Sequence, residues 1–171
     1  MAEPAPRWRF LPHSLGCYIC GEANPLGLQR RFLLREDGAV ETEFLPQIEH
    51  CGYQGIVHGG ILGALLDETM GWACCVRGGR LCLTADLRLR FLRSVPKGRK
   101  VIVRGEAVER RQGFWRAQGQ IRDEEGTLFV RGEGLYSPMS RERTEEILRC
   151  LLFDEDTLPA EAILKAGDGE P

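Results

Sequence analysis

Two adjacent carboxylates, Asp67 and Glu68, stand inside an apolar run that begins directly after His58-Gly59-Gly60. A glycine-bearing loop that feeds an apolar helix leaves the first backbone N–H groups without partners. The aligned peptide dipoles add partial positive charge at the same point. Such a helix start can hold an anion, or a carbonyl oxygen that is becoming one. A carboxylate on the same helix can activate water or attack directly. The combination points to acyl transfer.

Helical spacing puts Gly60, Gly63 or Ala64, Asp67, Gly71 and Cys74 on one stripe, where every neighbour of the carboxylate is small. A glycine inside a helix costs about 1 kcal/mol relative to alanine, so the stripe needs a reason. One reason is a channel by which an acyl chain reaches Asp67. The competing reason is close packing, with Asp67 bonded to a nearby N–H. Glu68 shares its stripe with Ile61, Leu65 and Trp72, a bulkier face. It is expected to pair with an arginine or to face solvent at an interface.

The run from His58-Gly59-Gly60 to Asp67 resembles the signature of the hotdog-fold thioesterases, in the PaaI-like branch of phenylacetyl-CoA and medium-chain acyl-CoA enzymes. Cys17-Tyr18-Ile19-Cys20-Gly21 and Asn24-Pro25-Leu26-Gly27-Leu28 resemble the opening of other members of that branch. The resemblance covers roughly residues 15 to 138. It implies an acyl-CoA substrate, no metal or redox cofactor, and a homo-oligomer (a dimer or a dimer of dimers) with active sites between subunits. Asp67 would be general base or nucleophile, and Glu68 is its rival. Gly59 N–H would polarise the thioester carbonyl while His58 shapes the loop. Thr84, in Thr84-Ala85-Asp86-Leu87, would position water. Gly60 and Gln54 join the substrate-binding candidates. Some relatives carry Asn where this chain has Gly52, so Gln54 or His50 takes over that role or the site works without it. Arg88, Arg90, Arg93 and Lys97 offer a basic rim for the phosphates of coenzyme A; the plainer reading is a solvated charged face. Two rival activities are a non-catalytic acyl-CoA binding or sensing protein on the same fold and a hotdog dehydratase. The dehydratase needs a catalytic His facing an acid, which His58 in a glycine turn fits poorly.

The elements that position these residues follow from pattern. Residues 1–27 read as an irregular arm, 28–138 as the hotdog domain, and 139–171 as a helix with a fraying acidic tail from Asp154. Residues 28–45 alternate around Asp37-Gly38 as a β-hairpin. The helix spans about Gly60 to Arg77, is apolar nearly all round and is therefore central, and ends at Gly78-Gly79. Residues 81–93 alternate as a strand with Leu81, Leu83, Ala85, Leu87, Leu89 and Phe91 on one buried face. Strands over 100–110, 114–123 and 127–136 complete a meander of four, and a short helix covers 142–152. A hairpin, one buried helix and a meander predict an α+β fold, with one curved antiparallel sheet wrapped around the helix.

The totals narrow the classes. A chain of 171 residues fits one domain, and a net charge of -2 argues against nucleic-acid binding by bulk charge. No apolar run is long enough to span a membrane, and Met1 to Pro6 lacks the apolar core of a signal peptide, so a cytoplasmic location is expected. Seven cysteines without that signal do not predict a disulfide framework. Cys17-x-x-Cys20 has half the spacing of a zinc site or a redox pair, but no second such pair exists. Cys51, His50 and His13 could complete a metal site only by tertiary chance, so the pair is read as packing or a loop staple, with no metal expected.

Overall fold

A computed structural model describes residues 9–167, so residues 1–8 of the expected arm and 168–171 of the tail lie outside the described residues. The chain runs β1 (Arg9–Phe10), β2 (Leu33–Leu34), β3 (Val40–Phe44), a 3-10 turn (Ile48–His50), β4 (Cys51–Tyr53) and β5 (Ile56–Val57). It continues through α1 (Gly59–Gly78), β6 (Cys82–Phe91), β7 (Val101–Arg111), β8 (Phe114–Asp123), β9 (Leu128–Pro138), α2 (Arg141–Leu148) and α3 (Ala160–Lys165). Seven strands form one antiparallel sheet in the order β1-β2-β3-β7-β8-β9-β6, and β4 pairs with β5 apart from it. The sheet curves around α1, whose Leu65, Leu66, Met70 and Ala73 are wholly buried. Among the described residues, no helix is long and apolar enough to cross a membrane.

The helix lies directly on the sheet because of a row of glycines. Gly105, Gly119 and Gly132 are neighbours across β7, β8 and β9. A Cβ on Gly105 would lie 2.9 Å from the Met70 nitrogen, and one on Gly119 would lie 2.8 Å from Leu66 Cδ2. Side chains there would hold the helix off. Gly79, at φ 65°, supplies the left-handed residue that stops α1.

Four expectations need correction. The strands from 81 onward do not form a sequential meander, because β6 pairs with β9 and β7 pairs with β3. Residues 92–100 hold no tight turn to fold β6 back on β7; they cross the end of the sheet, anchored by buried Val95. Second, the alternation in β6 breaks at a bulge between Thr84 and Asp86. One extra residue reverses which side chains face inward. Leu87 and Leu89 are partly buried, whereas Leu83 is 61% exposed and Thr84 turns toward α1. Third, the hairpin's first strand is short, since the arm takes its backbone groups: Leu28 N–H donates to Tyr18 O at 2.8 Å and Arg30 N–H to Ile19 O at 2.7 Å. Fourth, α2 stops at Leu148, and Leu152 pairs with His13 instead. Beyond Asp154 the chain docks rather than leaving the body, because Phe10 O accepts the Leu158 N–H at 2.7 Å and Ile163 of α3 is fully buried.

Candidate active site

Asp67 sits midway along α1, partly buried, where the helix faces the start of β6 and the end of β9. Thr84 Oγ1 donates to Asp67 Oδ1 at 2.8 Å. Tyr136 OH reaches the same oxygen at 3.2 Å and the Asp67 carbonyl at 3.2 Å. Gly134 makes room for that tyrosine, because a Cβ there would lie 2.5 Å from its ring. Tyr136 is 1% exposed, and burial followed by the Asp67 charge pushes its hydroxyl well above the usual range. It therefore remains a donor. Both donors hold Oδ1; among the described residues Oδ2 has none. Asp67, Thr84, Gly71, Cys82 and Tyr136 line a cavity of about 300 Å³.

The helix start is built by His58, the N-cap residue, with extended backbone at φ -64° and ψ 131°. Its Nδ1 accepts the Gly60 N–H at 2.9 Å. Its carbonyl accepts Ile61 N–H at 3.1 Å and Leu62 N–H at 3.4 Å. Three of the donors that open α1 are thus taken up by one residue. Among the described residues, the Gly59 N–H alone at this start has no acceptor. Gly60, expected to bind substrate, has its N–H engaged by His58.

Gly52 has a physical role of its own. A Cβ at that position would lie 2.8 Å from His58 Cδ2, so the Asn of some relatives does not fit beside this imidazole. His50 does not replace it: its Nδ1 accepts the Gln47 N–H at 2.8 Å, and its ring tilts against Phe44 at 4.9 Å. Gln54 is exposed at the turn between β4 and β5. None of the three lines the Asp67 cavity.

The site residues therefore fall into two groups within one chain. Gly59 and Asp67 are eight residues apart on one helix, about 12 Å at 1.5 Å per residue. Reacting atoms must approach to about 3–3.5 Å. One small reacting group could not meet both within a protomer.

A sequence profile of the thioesterase superfamily matches residues 54–130. The crystal structure of a thioesterase superfamily protein, RHA08564, is 29% identical with a TM-score of 0.66, over 71% of this chain and 59% of that one. Residues 54–130 of this chain thus resemble the thioesterase superfamily. The chain's hotdog fold is shared with thioesterase HI1161 of Haemophilus influenzae, 22% identical over 71% of this chain and 85% of that one, TM-score 0.62. A hypothetical thioesterase of Streptococcus pneumoniae, crystallised with coenzyme A, is 20% identical over 61% of this chain and 83% of that one, TM-score 0.57. That protein has also been crystallised with one Asp, and with one Thr, replaced by Ala.

In this chain the basic run does not converge. Arg88 and Arg90 alternate with Leu87 and Leu89, which face the core, so they point to the outer face of the sheet. Arg88 pairs with Asp86 at 3.1 Å. Arg93 donates to the Leu128 carbonyl at 2.8 Å. Lys97 is exposed beside the turn that leads to the helix start, its N–H on Gly55 O at 2.9 Å.

The sequence suggested that Glu68 pairs with an arginine or faces solvent at an interface; among the described residues it pairs with no arginine, and it is partly buried. Cys17 Sγ lies 3.4 Å from its Oε2, and burial pushes its carboxyl up to about 7. The Cys20 thiol, hydrogen-bonded to the Cys17 sulfur, pulls Cys17 down to about 5 and is itself pushed up. Tyr136 and this arm contact are the parts that sequence reasoning missed. The Cys17-x-x-Cys20 spacing carried a signal for the second but named no partner.

Proposed function

We propose that the protein is a homodimeric hydrolase of acyl-CoA thioesters. The observation that carries this reading is the Asp67 carboxylate, with one oxygen fixed by Thr84 and Tyr136 and the other turned loose beside a cavity. A fixed carboxylate with an unpartnered oxygen can take a proton from water or attack a carbonyl carbon. The coenzyme A found with the Streptococcus pneumoniae protein supports the substrate class.

Dimerisation is the natural completion of the site. Strand β6 ends the sheet, and an unpaired edge is a template for another strand. Its surroundings are apolar, with Leu83, Phe91 and Leu92 exposed at 61%, 51% and 42%. Thr84, at Asp67, lies near the start of β6; the ring of Phe91, which ends it, lies where a Cβ on Gly59 would be 3.3 Å away. Two copies of β6 paired antiparallel, with Thr84 opposite the partner's Phe91, bring Asp67 beside the partner's Gly59. Each thioester then meets an N–H from one protomer and a carboxylate from the other.

A panel of acyl-CoAs, read by free thiol release, tests the activity and identifies the acyl group. Binding without thiol release across the panel leaves an acyl-CoA binding protein and sinks the hydrolase reading. Single-turnover hydrolysis in heavy-oxygen water separates the two roles of Asp67: label in its carboxyl marks a nucleophile.

A further inference from the structure

We infer that Cys17, Cys20 and Glu68 form a binding site for a thiophilic divalent cation, zinc foremost, on the wall of the Asp67 cavity. Their donor atoms all lie within 4.8 Å of one another, and they form the cluster of this kind among the described residues. The arm supplies both sulfurs and α1 supplies the carboxylate, from 51 residues further along the chain. All three line the cavity that holds Asp67.

The turn that carries the cysteines is shaped for a thiolate. Ile19 N–H donates to Cys17 Sγ at 3.3 Å, and Gly21 N–H donates to Cys17 O at 2.9 Å. Gly21 is required there, since a Cβ would lie 2.3 Å from the Cys17 carbonyl. An amide aimed at sulfur favours the thiolate, the form that binds metal. Two sulfurs from one tight Cys-x-x-Cys turn are half of a tetrahedral zinc set.

Glu68 makes the case stronger than the spacing alone. It is mostly buried, and its neighbours are the two thiols and the Trp72 indole N–H. Among the described residues it forms no ion pair with a Lys, Arg or His. Buried carboxylates are otherwise paired with a cation or coordinate a metal. Two thiolates and a carboxylate suit zinc, which takes sulfur at about 2.3 Å and oxygen at about 2.0–2.2 Å. Magnesium and calcium prefer oxygen alone. The three ligands leave a fourth position for water on the cavity side. The ion would tie the arm to α1 one residue from Asp67. The loop-staple reading from spacing alone lacked this third ligand.

The test uses the full chain, reduced with a phosphine, incubated with zinc and desalted. Elemental analysis should find about one zinc per chain, the stoichiometry of one three-ligand site in each protomer. Cobalt substitution should give sulfur-to-metal charge-transfer absorption and the intense visible bands of a tetrahedral ion. Chelation should lower the melting temperature by about 5 °C, because a cation that binds only the folded chain stabilises it. The Cys17→Ser/Cys20→Ser double variant should lose the metal. Glu68→Gln should keep both sulfurs and bind zinc at least about 10-fold more weakly, as loss even of a group that only hydrogen-bonds to a metal ligand costs that much. The inference is overturned if the reduced wild-type chain retains less than about one ion per ten chains. It is equally overturned if the double variant retains zinc undiminished. Wild-type uptake and release are readable even where a variant fails to fold, and no thioester is needed, so the result stands apart from the hydrolase reading.

Discussion

Replacing Gly59 with proline removes one hydrogen atom from the proposed mechanism and little else. Proline has no N–H, and the Gly59 N–H is the donor at the start of α1 that His58 leaves open. The first helical position is where proline is best tolerated. The preceding residue must be extended, and His58 already is, at ψ 131°. The added Cβ meets the Phe91 ring at 3.3 Å, a contact that a small ring shift relieves. Stability should therefore hold, with the melting temperature close to wild type. Turnover should not. Loss of one donor to a developing oxyanion costs about 2.7–4 kcal/mol, or roughly 10²–10³ in rate. Thiol release from the best acyl-CoA of the panel measures it. The same variant also tests where the site lies. Co-expression of Gly59→Pro with Asp67→Asn gives mixed dimers through two affinity tags. If N–H and carboxylate come from different protomers, one of the two sites is intact and about half the wild-type rate returns. If both come from one protomer, every site carries a defect and nothing returns. A folded Gly59→Pro enzyme with a rate within a factor of a few of wild type would refute the role of the helix start. Silent mixed dimers from active wild type would refute the shared site.

Asp67→Asn keeps an acceptor for Thr84 and Tyr136 but removes the charge, so turnover should fall by roughly 10²–10⁴. Calorimetry with a non-hydrolysable acyl-CoA analogue should show affinity nearly unchanged. Thr84→Val removes a 2.8 Å bond to a charged oxygen, worth about 1.5–3 kcal/mol, and should slow turnover by about 10- to 100-fold; an unchanged rate would leave Thr84 an ordinary strand residue. Lys97→Glu should weaken acyl-CoA binding and flatten its salt dependence, since Lys97 lies beside the loop that leads to the helix start. Arg88→Glu and Arg90→Glu, on the outer face of β6, should do neither.

Much of this arrangement was legible in the chain because it is local. The Asp37-Gly38 turn, the glycine stop after α1 and the all-round apolar character of that helix depend on neighbours within a few residues. The pairing of β6 with β9 did not show, because alternation marks a strand without naming its partner. The bulge at Ala85 was hidden for a related reason. The odd-numbered apolar residues of 81–91 suggest an unbroken face, which by period alone turns Thr84 away from the helix. Only resemblance pointed to Thr84 as a site residue. Tyr136 was invisible as a partner of Asp67, since 69 residues separate them. Glu68 could be given an arginine from charge alone. Its contact with Cys17 depends on how an irregular arm folds back, and no periodicity encodes that.

The glycine row beneath α1 makes the barrel of the helix a gauge for the chemistry above it. Gly105, Gly119 and Gly132 contribute no atoms to the Asp67 cavity. They set the height at which the helix rides over the strands. A methyl group added at Gly105 would act as a shim, pressing on the Met70 nitrogen from 2.9 Å, where ordinary contact begins near 3.4 Å. The helix must rise or tilt to accept it. Thr84 is fixed to the sheet and Asp67 to the helix, so such a lift feeds straight into the 2.8 Å bond between them. Hydrogen bonds of this kind weaken beyond about 3.0 Å. Alanine in that row would therefore detune the proposed hydrolysis from beneath, with the cavity-lining residues unchanged. Sequence variation at these buried strand positions is a means of adjusting rate that a survey of cavity-lining residues would pass over.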